Sequence, residues 1–157
     1  MQTAARPNLK NPVHLLAFGL GTGLSPIAPG TAGSVLGVLL YLPLSGLPLA
    51  VSLGITALLF AAGVWLCART SKDLGVYDHG GIVWDEVVGF LITMIALPRE
   101  WPWIVCGFLL FRFFDIVKPW PIRWLDRHVG GGLGIMLDDL VAGLFALILL
   151  QLALRLL

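Results

Sequence analysis

Charge is what this chain has least of. Ten Lys/Arg and nine Asp/Glu make up 12% of its 157 residues, against about 25% in an average soluble domain. That leaves too little polar sequence to cover a water-facing surface. A soluble protein with an unusually apolar core is the alternative, but 58% hydrophobic residues favour lipid as part of the solvent. Cysteine is also scarce. Cys67 and Cys106 each lie in an apolar run, which excludes a disulfide framework. A net charge of +1 lacks the basic excess of a nucleic-acid binder. The polar first twelve residues have no apolar stretch with a small-residue cleavage site. No secretory signal peptide is expected, so insertion would use the internal apolar segments. The length is that of one domain, residues 1–157.

What is there is a series of apolar runs. Residues 49–67 and 140–157 would reach roughly 28 and 27 Å as helices, close to the hydrocarbon thickness of a bilayer. Runs at 35–42, 87–97 and 103–114 are shorter. They are compatible with extension by their flanks, burial in a bundle or insertion into one leaflet. The fold expected is all-α: a multihelical, membrane-embedded bundle with short helices and a Gly/Pro-rich N-terminal loop at residues 19–34.

If consecutive helices alternate in direction, Asp85-Glu86, Asp115 and Asp138-Asp139 all come to one end. That end also collects Arg6, Lys10, Arg69, Lys72, Arg112, Lys118, Arg123 and Arg127, leaving Arg99 and Arg155 at the other. By the positive-inside rule the charged end is cytoplasmic. An internal echo relates Trp84-Asp85-Glu86-Val87-Val88-Gly89-Phe90 to Leu137-Asp138-Asp139-Leu140-Val141-Ala142-Gly143. Small residues after each acidic pair would let two helices approach closely.

Asp85, Glu86, Asp115, Asp138 and Asp139 are five of only nine carboxylates. One acid at each helix start is explained by N-capping. Capping explains neither the doubling nor Asp115, which lies near a helix C-terminus, the wrong end for a negative charge. Mg²⁺ takes carboxylate oxygens, so these five are the candidate metal ligands. Arg112, Lys118 and Arg123 sit in a basic, aromatic stretch. It reads either as a flank with interfacial tryptophans or as a site for an anionic headgroup. Ser25, Thr31 and Ser34 lie in the Gly/Pro loop, which leads into a helix able to hold an anion. A loop that simply caps that helix is the equal alternative, and the Lys-Ser/Thr ending of a P-loop is missing. His79 is a candidate proton shuttle, whereas His128 reads as a loop histidine. Cys106 and Arg112 have the spacing of a cysteine phosphatase, but the apolar helix between them cannot cradle phosphate.

Four segments carry a family resemblance: residues 23–34 (GLSPIAPGTAGS), 78–86 (DHGGIVWDE), 111–123 (FRFFDIVKPWPIR) and 134–143 (GIMLDDLVAG). In that order they resemble the phosphatidylglycerophosphatase A family. The resemblance implies a Mg²⁺-dependent enzyme of the bacterial inner membrane; the charge asymmetry puts its active site on the cytoplasmic face. It implies removal of the terminal phosphate of phosphatidylglycerophosphate, giving phosphatidylglycerol and inorganic phosphate. The catalytic candidates are then Asp85, Asp115, Asp138 and His79. Arg112, Lys118, Arg123, Ser25, Thr31 and Ser34 would bind the substrate. An aspartyl-phosphate intermediate is the alternative to direct attack by water. No obligate protein partner is implied. A CDP-alcohol phosphotransferase would need an Asp-Gly…Ala-Arg…Gly…Asp…Asp run, which is absent. A cation transporter would carry its acids at mid-span, whereas here they lie at segment ends.

Overall fold

In the computed structural model, residues 6–156 are described. Residues 1–5, part of the polar N-terminal stretch, lie outside them, as does residue 157. The described residues form helices and no strands. The helices are α1 (Pro12–Ala17), a 3-10 turn (Gly19–Leu24), α2 (Pro29–Leu44), α3 (Leu49–Leu74), α4 (Trp84–Thr93), α5 (Trp101–Val117), α6 (Ile122–His128) and α7 (Gly131–Leu156).

The Gly/Pro segment is shorter as a loop than its composition suggests. Leu20 and Gly21 take positive φ and break the 3-10 turn. Ala28, at φ 48°, turns the chain into α2, which opens on Pro29, a residue pre-set for a first helical turn. Thr31 and Ser34 are therefore helical residues. The connection after residue 115 is likewise partly helical, because α6 occupies its centre.

The largest difference from the sequence reading concerns the last helix. It starts at Gly131, so Asp138 and Asp139 do not open it but lie two turns inside. N-capping cannot explain them. Asp85 and Glu86 do sit in the first turn of α4.

Glycine contacts fix the helix directions. Gly33 packs on Val83 and Gly37 on Phe90, so α2 and α4 run parallel. Gly89 lies against the Asp139 carbonyl, and Gln151 donates to Ile95 O (3.1 Å) and Ala96 O (3.0 Å), so α4 and α7 are parallel too. Gly63 meets Met136, Gly132 meets Val64 and Ala68, and Gly107 meets Met94 and Leu150. Helices α3 and α5 thus run the opposite way. All five acids share one end of the bundle, and the 45–48 and 94–100 connections lie at the other.

The core is built on α4 and α7. Val87, Val88, Phe90, Phe111, Ala142 and Ala146 are wholly buried. Thr93, also buried, donates to Gly89 O at 3.0 Å, which satisfies its hydroxyl within the core. Around this core, Leu58, Val105, Leu109, Ile148 and Leu152 face outward. Helices α3 and α7 are each 26 residues and apolar enough to cross a membrane, about 39 Å at 1.5 Å per residue.

Candidate active site

The site begins at the N-terminus of α4, which is tied down on two sides. Val83 N donates to Ala17 O (2.9 Å), and the Trp84 indole donates to Leu59 O (3.1 Å). These bonds set the rotation of α4, and the first turn then presents Asp85 and Glu86. Close approach of α7 supplies the third acid. A Cβ on Gly143 would stand 2.5 Å from Gly89 O, and one on Gly89 would stand 3.0 Å from Asp139 O. Only glycine allows the backbones to meet at this distance.

Oxygens of Asp85, Glu86 and Asp139 consequently lie within 4.8 Å of one another. Asp85 Oδ1, Glu86 Oε2 and Asp139 Oδ2 are buried and have no hydrogen-bond partner. Buried carboxylate oxygens without donors are costly. Three converging carboxylates, each with one such oxygen, make the donor set of a hard divalent cation, and on this observation the residues fit such an ion.

Cations from α5 flank the acids. Arg112 pairs with Asp115 one turn along and lies 3.9 Å from Glu86. Its Nε is buried without a partner. Lys118 caps α5 in the left-handed conformation, φ 46°. Its Nζ reaches Asp138 Oδ2 at 2.5 Å and Asp126 Oδ1 at 3.1 Å. Burial alone would lower the Lys118 pKa, but the hydrogen bonds and charges of Asp138 and Asp126 outweigh it and hold the pKa above the usual lysine range. The ammonium therefore stays charged throughout the physiological range.

Adjacent residues on a helix point about 100° apart, and here that angle divides the acidic pair of α7. Asp139 turns toward α4 and Asp138 toward Lys118. The loop-derived residues divide as well. Gly30, in the first turn of α2, packs on Glu86 and Arg112, and a Cβ there would stand 3.1 Å from a guanidinium nitrogen and run into the carboxylate. Ser34 is fully buried and donates to Gly30 O (2.9 Å). Ser25 donates to Ile27 O (2.7 Å). Thr31 is half-buried in the first turn of α2. His79 accepts from Gly81 N–H at Nδ1 (3.0 Å), with its ring 5.5 Å from that of Phe18. Arg123 is exposed and donates to Val117 O (3.2 Å).

Two residues at this end were not singled out from sequence. Asp126 had no signal, since its pairing with Lys118 depends on how α6 folds back. Gly30 lay inside a recognised motif, but its place against Glu86 is a tertiary contact.

The profile of the family described as phosphatidylglycerophosphatase A matches residues 15–154. The chain belongs to the phosphatidylglycerophosphatase A family. It is 51% identical over 148 residues to the phosphatidylglycerophosphatase A of Escherichia coli (strain K12), covering 90% of this chain and 83% of the relative. It is also 51% identical to that of Haemophilus influenzae, with 90% and 88% covered. A Bacteroides thetaiotaomicron protein named "Putative phosphatidylinositol-3-phosphatase" is 39% identical, with 88% and 91% covered. No solved structure matches the chain. Membership of the phosphatidylglycerophosphatase A family makes the chain a phosphoric monoester hydrolase, and the carboxylate cluster with its flanking cations is the region equipped for that chemistry.

Proposed function

We propose that this chain hydrolyses phosphatidylglycerophosphate to phosphatidylglycerol and inorganic phosphate, with Mg²⁺ held by Asp85, Glu86 and Asp139. The observation that carries this reading is the trio of converging carboxylates, each with a buried, unpartnered oxygen, placed beside Arg112 and Lys118 in a chain of this family. Bound there, Mg²⁺ supplies Lewis-acid stabilisation of charge on the transferring phosphoryl group.

The chain's own residues do the rest. Arg112 and Lys118 neutralise phosphate oxygens. Asp115 holds Arg112, while Asp138 and Asp126 hold Lys118, so both cations are placed before substrate arrives. The P–O bond to water forms as the P–O bond to glycerol breaks; one proton of the water stays with the released phosphate and the other passes to the leaving alkoxide. His79 is the candidate relay for that proton: its Nδ1 accepts a backbone N–H, which leaves Nε2 as the ring nitrogen that can exchange a proton. The acyl chains stay in the bilayer, into which the outward-facing apolar residues and the lengths of α3 and α7 fit the protein. Eight of the ten Lys/Arg at the site end orient that end to the cytoplasm of the inner membrane.

The test is phosphate release by purified protein from phosphatidylglycerophosphate in mixed micelles. Release with Mg²⁺, lost in EDTA and restored by added Mg²⁺, is the expected result. No release from any lipid phosphate monoester in Mg²⁺ would overturn the reading. Release unchanged in EDTA would overturn the metal assignment alone.

A further inference from the structure

A second basic site adjoins the carboxylate cluster. Around α6 lies an open pocket of about 360 Å³, lined by Lys118, Trp120, Arg123, Trp124, Arg127 and His128, with Val117 at its apolar side. Its lining contains two arginines, Arg123 and Arg127, and Lys118, whose Nζ is already bonded to Asp138 and Asp126, in a chain whose net charge is only +1. The walls are organised. Arg123 is steadied by Val117 O at 3.2 Å, which occupies one of its nitrogens and leaves the remaining donors free. Trp124 and His128 stack at 4.7 Å and 17°, and His128 Nδ1 lies 2.8 Å from Trp124 O. Trp120 is 81% exposed, and Phe113 and Ile116 in the last turns of α5 are exposed as well. Tryptophan and apolar residues next to arginines are the composition of a membrane–water interface. Lys118 belongs to both sites: it lines the pocket, and its Nζ bonds Asp138, the neighbour of Asp139.

We propose that this pocket binds the inner phosphodiester of the lipid substrate, while the terminal monoester lies at the carboxylate cluster. The proposal rests on the function given above and adds a specificity-determining subsite to it. Phosphatidylglycerophosphate carries two phosphates joined by a glycerol. Two cationic sites sharing one lysine offer one place for each phosphate, and a lipid with a single phosphate fills only one of them. Arg123 and Arg127 meet the diester, and the acyl chains continue along Phe113 and Ile116 into the bilayer.

Two ligands separate the sites. Phosphatidylglycerol carries the diester alone, and inorganic phosphate resembles the monoester alone. In the purified full chain, R123Q/R127Q is expected to raise KM for phosphatidylglycerophosphate and Ki for phosphatidylglycerol each about tenfold, as expected for two lost charge-assisted contacts. Inhibition by inorganic phosphate stays as it was. R123K/R127K, which keeps the charge, recovers most of the affinity. Native mass spectrometry of the same proteins with phosphatidylglycerol against phosphatidylcholine gives a readout independent of turnover. The wild-type chain retains phosphatidylglycerol selectively, and R123Q/R127Q loses that selectivity. Equal weakening of both inhibitors would assign the arginines to general attraction and overturn the subsite, as would unchanged phosphatidylglycerol retention in the variant. If the wild-type chain releases no phosphate, the proposed function fails and the retention measurement alone decides the pocket.

Discussion

Asp139 and Asp138 are neighbours in sequence with different surroundings. Asp139 joins Asp85 and Glu86 in a buried cluster with unpartnered oxygens, whereas Asp138 is neutralised by Lys118. The two substitutions therefore differ in outcome. Asp139→Asn removes one of three mutually repelling buried charges. In EDTA it is expected to raise the unfolding midpoint, and the stabilisation gained on adding Mg²⁺ is expected to disappear. Activity falls by about a hundredfold or more. Lys118→Met leaves Asp138 buried without its partner, which costs about 3–5 kcal/mol and lowers the midpoint with or without Mg²⁺. Thermal unfolding at both metal conditions, beside phosphate release, checks the pair. A Mg²⁺ response preserved in Asp139→Asn would remove that residue from the metal set. At this scale the sequence supplied the residue types. It could not supply their partners, because a helix turns about 100° per residue and the facing helix decides what each acid meets.

At the level of elements, the parallel pair α4 and α7 makes the site. The echo between residues 85–89 and 138–143 anticipated two helices packed through small residues, and the Gly89–Gly143 approach is that contact. The helix starts were less legible. Helix α7 runs two turns before its acidic pair, since Gly131, Gly132 and Gly134 hide a helix from any reading based on apolar runs. Gly132 is helical because its Cα face lies on the α3 backbone at Val64 and Ala68, where any side chain would clash. Gly143→Ala is expected to force α4 and α7 apart, costing about 1–3 kcal/mol and reducing activity with it. Gln151→Leu strips the Ile95 and Ala96 carbonyls of their donor at a cost of about 0.5–1.5 kcal/mol, but at the opposite end of α4, so turnover per folded molecule is retained. Chemical denaturation together with specific activity distinguishes the two. Loss of turnover in folded Gln151→Leu would mean that the far end of α4 is coupled to the site.

For the whole molecule, the asymmetry is one of charge between the two ends of a bundle. Lys72 lies in the last turn of α3 at the site end, and Glu100 caps the start of α5 at the other. In a Cys106→Ser background, Lys72→Cys is expected to react with a membrane-impermeant maleimide only after the cells are lysed. Glu100→Cys is expected to react in spheroplasts. The reverse pattern would put the carboxylate cluster on the outer face and refute the cytoplasmic assignment.

The sequence by itself determined the helical class, the two long apolar segments and the family, and, for helices that alternate in direction, the gathering of acids at one end. These follow from composition, run length and short contiguous motifs, which local chain chemistry records. Only the tertiary structure decided that Asp85, Glu86 and Asp139 form one cluster, that Asp138 and Asp126 share Lys118, and that α6 builds a basic pocket beside them. Such contacts join residues up to several dozen positions apart, and they depend on how closely glycines let two helix backbones meet.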